Sequence, residues 1–378
     1  MDGVGLPGSA PTSDDLREVF RVYGVRRDGD RLVYVGEPVA PEPEVERAVW
    51  PVFREAGYEV SVVDTDTGEP GPTYVLVADP VVLGIDGIPW TNVILLLATI
   101  ASTLYVGSMW YHVDLASDPA SIIEGWPFAV GVITVLGVHE LGHYALSRYH
   151  GVQASLPYFL PVPTIFGTMG AVIKIRGRIP DRRALFDIGV AGPIAGLIAT
   201  VVIILIGLHL PPVTAPEGIT ESDAAVELAI GFPPLLEFLS WLTGQPLQYD
   251  DPLTSVNPVV IAGWLGLFIT FLNLIPVGQL DGGHVTRAMI GSTQDRIGMV
   301  VPVLLFGLGV GLYTVAGVSL HGIAVWFIWG IFATLLAVVG PADPVDDHPL
   351  DRRRQLIGIV TLGFGVVCFT PVPIEIVG

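Results

Sequence analysis

The residues best placed to do chemistry are His139, Glu140 and His143, within Val138-His139-Glu140-Leu141-Gly142-His143. Two histidines four apart lie one above the other on a single helix face, one turn along. Each can offer a ring nitrogen to the same metal ion, and Glu140 beside the first can act on a water held by that metal. This H-E-x-x-H spacing suits metal-assisted hydrolysis. The stretch lies inside an apolar run from about Pro127 to Tyr149, and ionisable residues within such a run are expensive and mark function. The competing reading is two histidines and a glutamate packed for hydrogen bonding within a helical bundle.

Two histidines do not complete a zinc site, which needs a third protein ligand and one position left for water. No glutamate or histidine falls at the spacings used by soluble protease families on the same segment or just beyond it. The candidate lies far along the chain, in Asn273-Leu274-Ile275-Pro276-Val277-Gly278-Gln279-Leu280-Asp281-Gly282-Gly283-His284. Pro276 and the glycines break a helix there, which lets Asp281 turn its carboxylate inward, with Asn273 just above it on the helical part. The alternative makes Asp281 only the cap of a helix beginning near His284. His284 itself reads as structural, or as a support for a ligand.

The chain that must position these groups has 378 residues, 51% of them hydrophobic and only 15% charged. With a mean hydropathy of +0.63, that composition points to a polytopic α-helical membrane protein. Its formal net charge is −19, and every basic residue but Lys174 is arginine. A basic nucleic-acid footprint is therefore absent. An acidic, lysine-poor surface suits hydration in very high salt, so a halophilic source is expected. Cys368 is the single cysteine, which excludes an intrachain disulfide and a cysteine-based zinc site. Met1 to Asp15 is small and polar, with neither a basic start nor an apolar core, and does not read as a signal peptide.

Residues 1–12 read as a loose tail and 13–82 as a small α+β domain. Ser13 and Asp14 can cap a helix through Leu16, Val19, Phe20 and Tyr23. Arg31 to Val35 alternates as a strand, and Glu42 to Gly57 reads as a helix with Val45, Val49, Val52 and Phe53 inward. Tyr58–Val63 and Tyr74–Ala78 read as two further strands around an acidic Gly-Pro turn. No chemical motif occurs here, so the expected role is regulation, substrate docking or that of a plain folded appendage.

Seven candidate spans follow, at approximately 91–111, 127–148, 185–209, 257–276, 298–316, 320–340 and 355–372. Basic residues fall only in the N-terminal domain, between spans two and three, between four and five, and between six and seven. The positive-inside rule then places all of them on one side, with the N-terminus cytoplasmic. His139 and His143 come toward the inner end of span two. Residues 154–178, with Pro157, Pro161 and Pro163 and then Gly167 to Ile175, read as a re-entrant hairpin or an ordinary linker. A hairpin at depth needs protein or water to satisfy its backbone, and its edge could receive an extended substrate by strand addition. In span three, Gly192 and Gly196 read as close helix packing and Pro193 as a kink; Gly307 and Gly311 in span five read as packing too. Phe232–Leu242, in the acidic connection 210–256, suggests an interfacial segment.

H-E-x-x-H in one span, followed by N-x-x-P-x-x-x-L-D-G-G in a later one, resembles the site-2 protease family of intramembrane zinc metalloproteases. The likeness covers roughly residues 90–340, with 341–378 an inner loop and last helix. It implies one Zn2+ per chain held by His139, His143 and Asp281, with Glu140 as the catalytic carboxylate. Asn273 matches the residue that steadies the substrate peptide or the oxyanion, and spans two, three and four match the catalytic core. The implied reaction is hydrolysis of a peptide bond in the transmembrane helix of a membrane-anchored substrate, within the bilayer of the cell membrane. Many relatives carry asparagine where this chain has Gly196, so the resemblance does not carry a substrate-strand contact over to that position. No connection is long enough for an inserted PDZ domain, and no CBS module follows; the N-terminal domain and extra spans resemble the long archaeal and chloroplast-type branch. Two rivals fit less well. A metal-handling transporter calls for acidic residues along several spans, whereas spans one, five, six and seven have no acidic or basic residue in their interiors. A scaffold that binds helices without cutting them has no use for Glu140.

Overall fold

The structure is a computed structural model, and it describes residues 10–65, 73–81, 87–162, 164–216 and 227–377. Most of the expected tail, the acidic Gly-Pro turn at 66–72, Pro163 and residues 217–226 of the 210–256 connection lie outside the described residues.

The N-terminal region holds α1 (Ser13–Leu16), β1 (Phe20–Asp28), β2 (Arg31–Pro38), α2 (Glu42–Glu55), β3 (Tyr58–Thr65) and β4 (Thr73–Pro80). Its sheet runs β1-β2-β4-β3 with every neighbour antiparallel. Val45, Val49 and Phe53 of α2 are fully buried with Leu32, Tyr34, Val60 and Leu76 of the sheet. That is the inner side expected of this helix. The helix expected through Tyr23 is corrected: α1 stops at Leu16, and Phe20 enters a strand with no exposed surface. The physical cause is the turn Asp28-Gly29-Asp30, with Gly29 at φ 62, which pairs β1 back onto β2 and outweighs the weak helical spacing.

The remainder is dominated by helices. In order come α3 (Trp90–Trp110), a 3-10 turn (Pro119–Gly125) and α4 (Trp126–Tyr149). Five short strands follow: β5 (Gln153–Ala154), β6 (Tyr158–Pro161), β7 (Thr168–Val172), β8 (Ile175–Arg176) and β9 (Ile179–Asp181). After α5 (Arg182–Leu208) lie β10 (Val213–Thr214), β11 (Glu227–Ile230), α6 (Pro234–Thr243), β12 (Thr254–Ser255) and α7 (Pro258–Asn273). The chain continues through α8 (Asp281–Ile290), α9 (Thr293–Thr314), α10 (Leu320–Val339), β13 (Pro344–Asp346), α11 (Arg352–Cys368) and β14 (Ile374–Val377). Among the described residues, five helices are long and apolar enough to cross a membrane: α3, α4 with its preceding turn, α5, α9 and α10. The chain is thus a multi-pass membrane protein. The expected spans four and seven appear as shorter helices of 16 and 17 residues, α7 and α11. Pro276 follows the one, and Pro371 the other.

β6 and β7 form an antiparallel hairpin, so the irregular 154–178 stretch folds back as a hairpin rather than running on as a linker. Helices α4, α5 and α7 make the central packing, and glycines let them approach. A Cβ on Gly131 would lie 2.9 Å from Ala262, one on Gly142 2.7 Å from the Ala191 carbonyl, and one on Gly207 2.7 Å from the Val260 nitrogen. Trp264 of α7 is fully buried between Phe166 and Phe268, at 5.7 and 5.4 Å, and donates Nε1–H to the Gly231 carbonyl at 2.7 Å. Gly307 and Gly311 do not serve close packing: no atom lies within 4 Å of a Cβ at either position.

Candidate active site

Helix α4 carries His139, Glu140 and His143 buried within the protein, each less than a tenth exposed. The ring of His143 is fixed by its Nδ1–H, which donates to the Ile188 carbonyl of α5 at 2.8 Å. That bond leaves the Nε2 lone pair free to face inward. His143 Nε2 lies 3.2 Å from His139 Nε2.

The third group arrives from α8. After Asn273 the helix α7 ends, and Gly278 turns the chain at φ 50 against the Leu336 backbone of α10. Asp281 is the first residue of α8, not its cap; the N-cap is Leu280. Asp281 offers Oδ2 to His139 Nε2 at 3.1 Å and Oδ1 to His143 Nε2 at 3.1 Å. Among the described residues, these three side chains form a group positioned to hold a metal ion. Tetrahedral coordination at about 2.0–2.1 Å places ligand atoms roughly 3.3 Å apart, so the observed separations fit zinc. Two imidazole nitrogens and one carboxylate oxygen are the donor set such an ion takes with an open fourth position.

The rest of the site surrounds that point. Glu140 and these three side chains line one cleft with Asn273, His284 and Ala171, Val172 and Ile173 of the hairpin segment. Asn273 Nδ2 is 3.2 Å from His139 Nε2. His284 takes a bracing position: its Nδ1 accepts the Ala342 backbone N–H at 3.3 Å, which ties α8 to the segment after α10. All five residues expected to form the site are therefore brought together.

In the sequence Gly192 and Gly196 read as helix packing, with Gly196 also standing where many relatives carry asparagine, and the structure gives both more. A Cβ on Gly192 would fall on the His143 Nε2 position, and one on Gly196 would lie 2.8 Å from His139 Nδ1. These glycines of α5 make room for the two imidazoles. Their spacing of four, equal to that of the histidines, was the available signal.

Comparison with known proteins agrees with the geometry. Residues 127–306 match peptidase family M50. The chain is 32% identical over 258 residues to the "Probable zinc metalloprotease EGY1, chloroplastic" of Arabidopsis thaliana, covering 66% of this chain and 43% of that protein. It is 31% identical over 260 residues to the corresponding EGY2 protein of Arabidopsis thaliana, covering 68% of this chain and 43% of the relative. The "Probable zinc metallopeptidase EGY3, chloroplastic" of the same plant is 27% identical over 380 residues, covering 93% of this chain and 62% of the relative. The chain thus spans less than two thirds of the length of each of these relatives. No solved structure matches it.

Proposed function

Since this chain belongs, through residues 127–306, to peptidase family M50, the site-2 proteases, we propose that it is a zinc-dependent endopeptidase that cuts membrane-embedded substrates. One observation carries this reading: His139, His143 and Asp281 converge beside Glu140 although Asp281 comes from a distant helix. We assign the three as the ligands of one Zn2+ per chain, Glu140 as the catalytic carboxylate and Asn273 as an oxyanion donor.

Zinc, when bound, supplies a water whose pKa is about 7 and a Lewis acid for the scissile carbonyl. The Glu140 carboxylate accepts the proton of the attacking water and returns it to the leaving amine nitrogen. Asn273 donates its Nδ2–H to the oxygen on which charge develops. His143 is held in the productive tautomer by its Nδ1–H bond to Ile188. His139, Glu140 and His143 are each less than a tenth exposed, so bulk water has little access to them.

A helical substrate hides its backbone in its own hydrogen bonds, so it must unwind before attack. Strand pairing along the hairpin segment 168–173, whose Ala171 to Ile173 line the cleft, would offset part of that cost. The substrate class is accordingly the single transmembrane helix of a membrane-anchored protein, in the lipid bilayer. The proposed topology has seven spans, with α7 and α11 completing the five long helices, the N-terminal domain (13–82) cytoplasmic, the peptidase part at 90–340 and the last helix at 341–378. The cell membrane is the proposed location.

The test is cleavage of a single-span reporter by purified protein in liposomes. Glu140→Gln is expected to lower the rate about 10²–10⁴-fold while zinc remains bound. Cleavage near the wild-type rate in this variant would end the proposal.

A further inference from the structure

The N-terminal sheet region meets the rest of the chain through the Glu46–Arg178 ion pair, through Arg47 on the Val345 carbonyl, and at two left-handed glycines. Gly151, at φ 68, follows the C-cap of α4. Gly177, at φ 81, makes the turn between β8 and β9. That turn sits at the foot of the segment whose Ala171, Val172 and Ile173 line the cleft. Both conformations favour glycine, because a Cβ there is strained.

Glu59 of β3 joins these two points. Its Oε1 accepts the Arg178 backbone N–H at 2.8 Å and the Trp50 Nε1–H at 3.2 Å. Its Oε2 accepts Arg54 NH1 at 2.8 Å, and the other Arg54 nitrogen donates to the Gly151 carbonyl. A Cβ on Gly177 would lie 3.3 Å from Glu59 Cδ, so the backbone turn closes directly onto the carboxylate. The Glu59 and Arg54 side chains are only 16% and 18% exposed, a setting in which charge-assisted hydrogen bonds are strong and poorly screened. Arg54 also places its cation at the C-terminal end of α4, where the helix dipole favours it.

We propose that Glu59 is a positioning residue for the cleft, a role that rests on the proteolytic reading given above. One wall of the cleft is α4, which holds His139, Glu140 and His143. The facing wall is the 168–181 segment, made of short strands: among the described residues β7 pairs with β6, β8 with the two residues of β5, and β9 with β13. Of these pairings only the two-residue β5–β8 ladder leads back to α4 and bears on the distance between the two walls. Glu59 fixes it from outside, holding the end of α4 through Arg54 and the β8–β9 turn through the Arg178 N–H. A substrate strand that must touch both walls at once is bound best when their separation is set in advance.

The experiment compares wild type with Glu59→Ala and Glu59→Gln in the full-length protein in liposomes. It reads zinc content, hydrogen exchange of the 168–181 amides, and KM and kcat on a single-span reporter. Glu59→Ala is expected to raise exchange in 168–181 and to raise KM about tenfold, the loss of a charge-assisted bond, with zinc content and kcat unchanged. Glu59→Gln keeps an acceptor for the Arg178 N–H and should restore most of the protection, which also covers the case in which the alanine variant fails to fold. Unchanged exchange in both variants, or raised exchange with unchanged KM, overturns the proposal. A wild-type protein that binds no zinc and cuts nothing overturns the proteolytic reading instead, while the exchange arm still decides whether Glu59 joins the two walls.

Discussion

Asn273 and His139 meet across the cleft, with the Asn273 amide nitrogen 3.2 Å from the imidazole Nε2 that also faces Asp281. Asn273 is the last residue of α7, so its backbone is fixed by the helix while its side chain reaches past the end. An uncharged amide placed there competes weakly for a cation but donates well to a carbonyl oxygen on which negative charge grows. Asn273→Ala is therefore expected to lower kcat about 10²–10³-fold and to leave zinc stoichiometry intact. Steady-state kinetics beside metal analysis checks this; a variant with unchanged kcat removes Asn273 from the mechanism.

Asp281 supplies one oxygen to each histidine and stands apart from them in sequence, so its loss isolates the tertiary part of the site. Wild type is expected to hold one zinc ion per chain in detergent-purified protein, and Asp281→Ala should abolish it. The helices should persist, because the Asp281 carboxylate does not cap α8. Metal retained by Asp281→Ala would break the three-ligand assignment.

Gly192 and Gly196 give a third expectation. A methyl group at Gly192 must displace the His143 ring, and one at Gly196 must displace that of His139. Each alanine variant should weaken zinc binding by roughly 10–100-fold, the range seen when the groups that orient metal ligands are lost. Gly192→Ala should be the more severe, since its Cβ meets the ligating Nε2 itself. Gly311→Ala is the control: nothing lies near its Cβ, and its zinc affinity should match wild type in a competition titration.

What could be read from the sequence follows from the range of the interactions concerned. His139, Glu140 and His143 were legible because one helix alone sets their geometry. Asp281 was legible because Pro276 and the glycines around it mark a helix end, although only the fold brings it to the histidines. β1 was missed: Val19, Phe20 and Tyr23 fit a helical face, and the Asp28-Gly29 turn that makes the segment a strand acts through pairing with β2. The second role of Gly192 and Gly196 was hidden because a glycine in an apolar helix says that something comes close, not what. Glu59 carried no local signal at all, since its partners come from α2 and the β8–β9 turn, and Arg54 alone carries the link on to the Gly151 carbonyl.

Asp187 provides a test of the frame behind the site. It precedes Ile188, whose carbonyl orients His143, and its carboxylate accepts two bonds from Arg354 of α11 at 2.9 Å each. His150, the C-cap residue of α4, lies 3.1 Å away on the same carboxylate. The group thus ties the ends of α4, α5 and α11 together. With Asp187 at 19% and Arg354 at 31% exposure, solvent screens part of the pair, and Asp187→Ala should cost about 1–2 kcal/mol. Arg354→Lys should recover little of that stability, because an ammonium cannot make the two parallel bonds. Thermal unfolding in detergent measures both, and equal midpoints for wild type and Asp187→Ala would show that the network does not support the bundle.

The acidic surface sets the salt response. The chain carries 37 acidic against 18 basic residues, and several carboxylates that pair with arginine remain open to water, as with Asp30 at 85% and Asp343 at 68% exposure. Exposed pairs of this kind contribute little, and salt weakens them further. The uncompensated negative charge acts in the other direction: at low ionic strength its self-repulsion opposes the folded state, and salt relieves that repulsion within a few ångströms at molar concentration. The second effect involves the larger number of charges, so the balance favours stabilisation by salt. The unfolding midpoint and the proteolytic rate should both rise as KCl is brought from about 0.1 M to molar levels. A steady fall of either over that range would show that the paired charges outweigh the net charge, and would remove the halophilic reading.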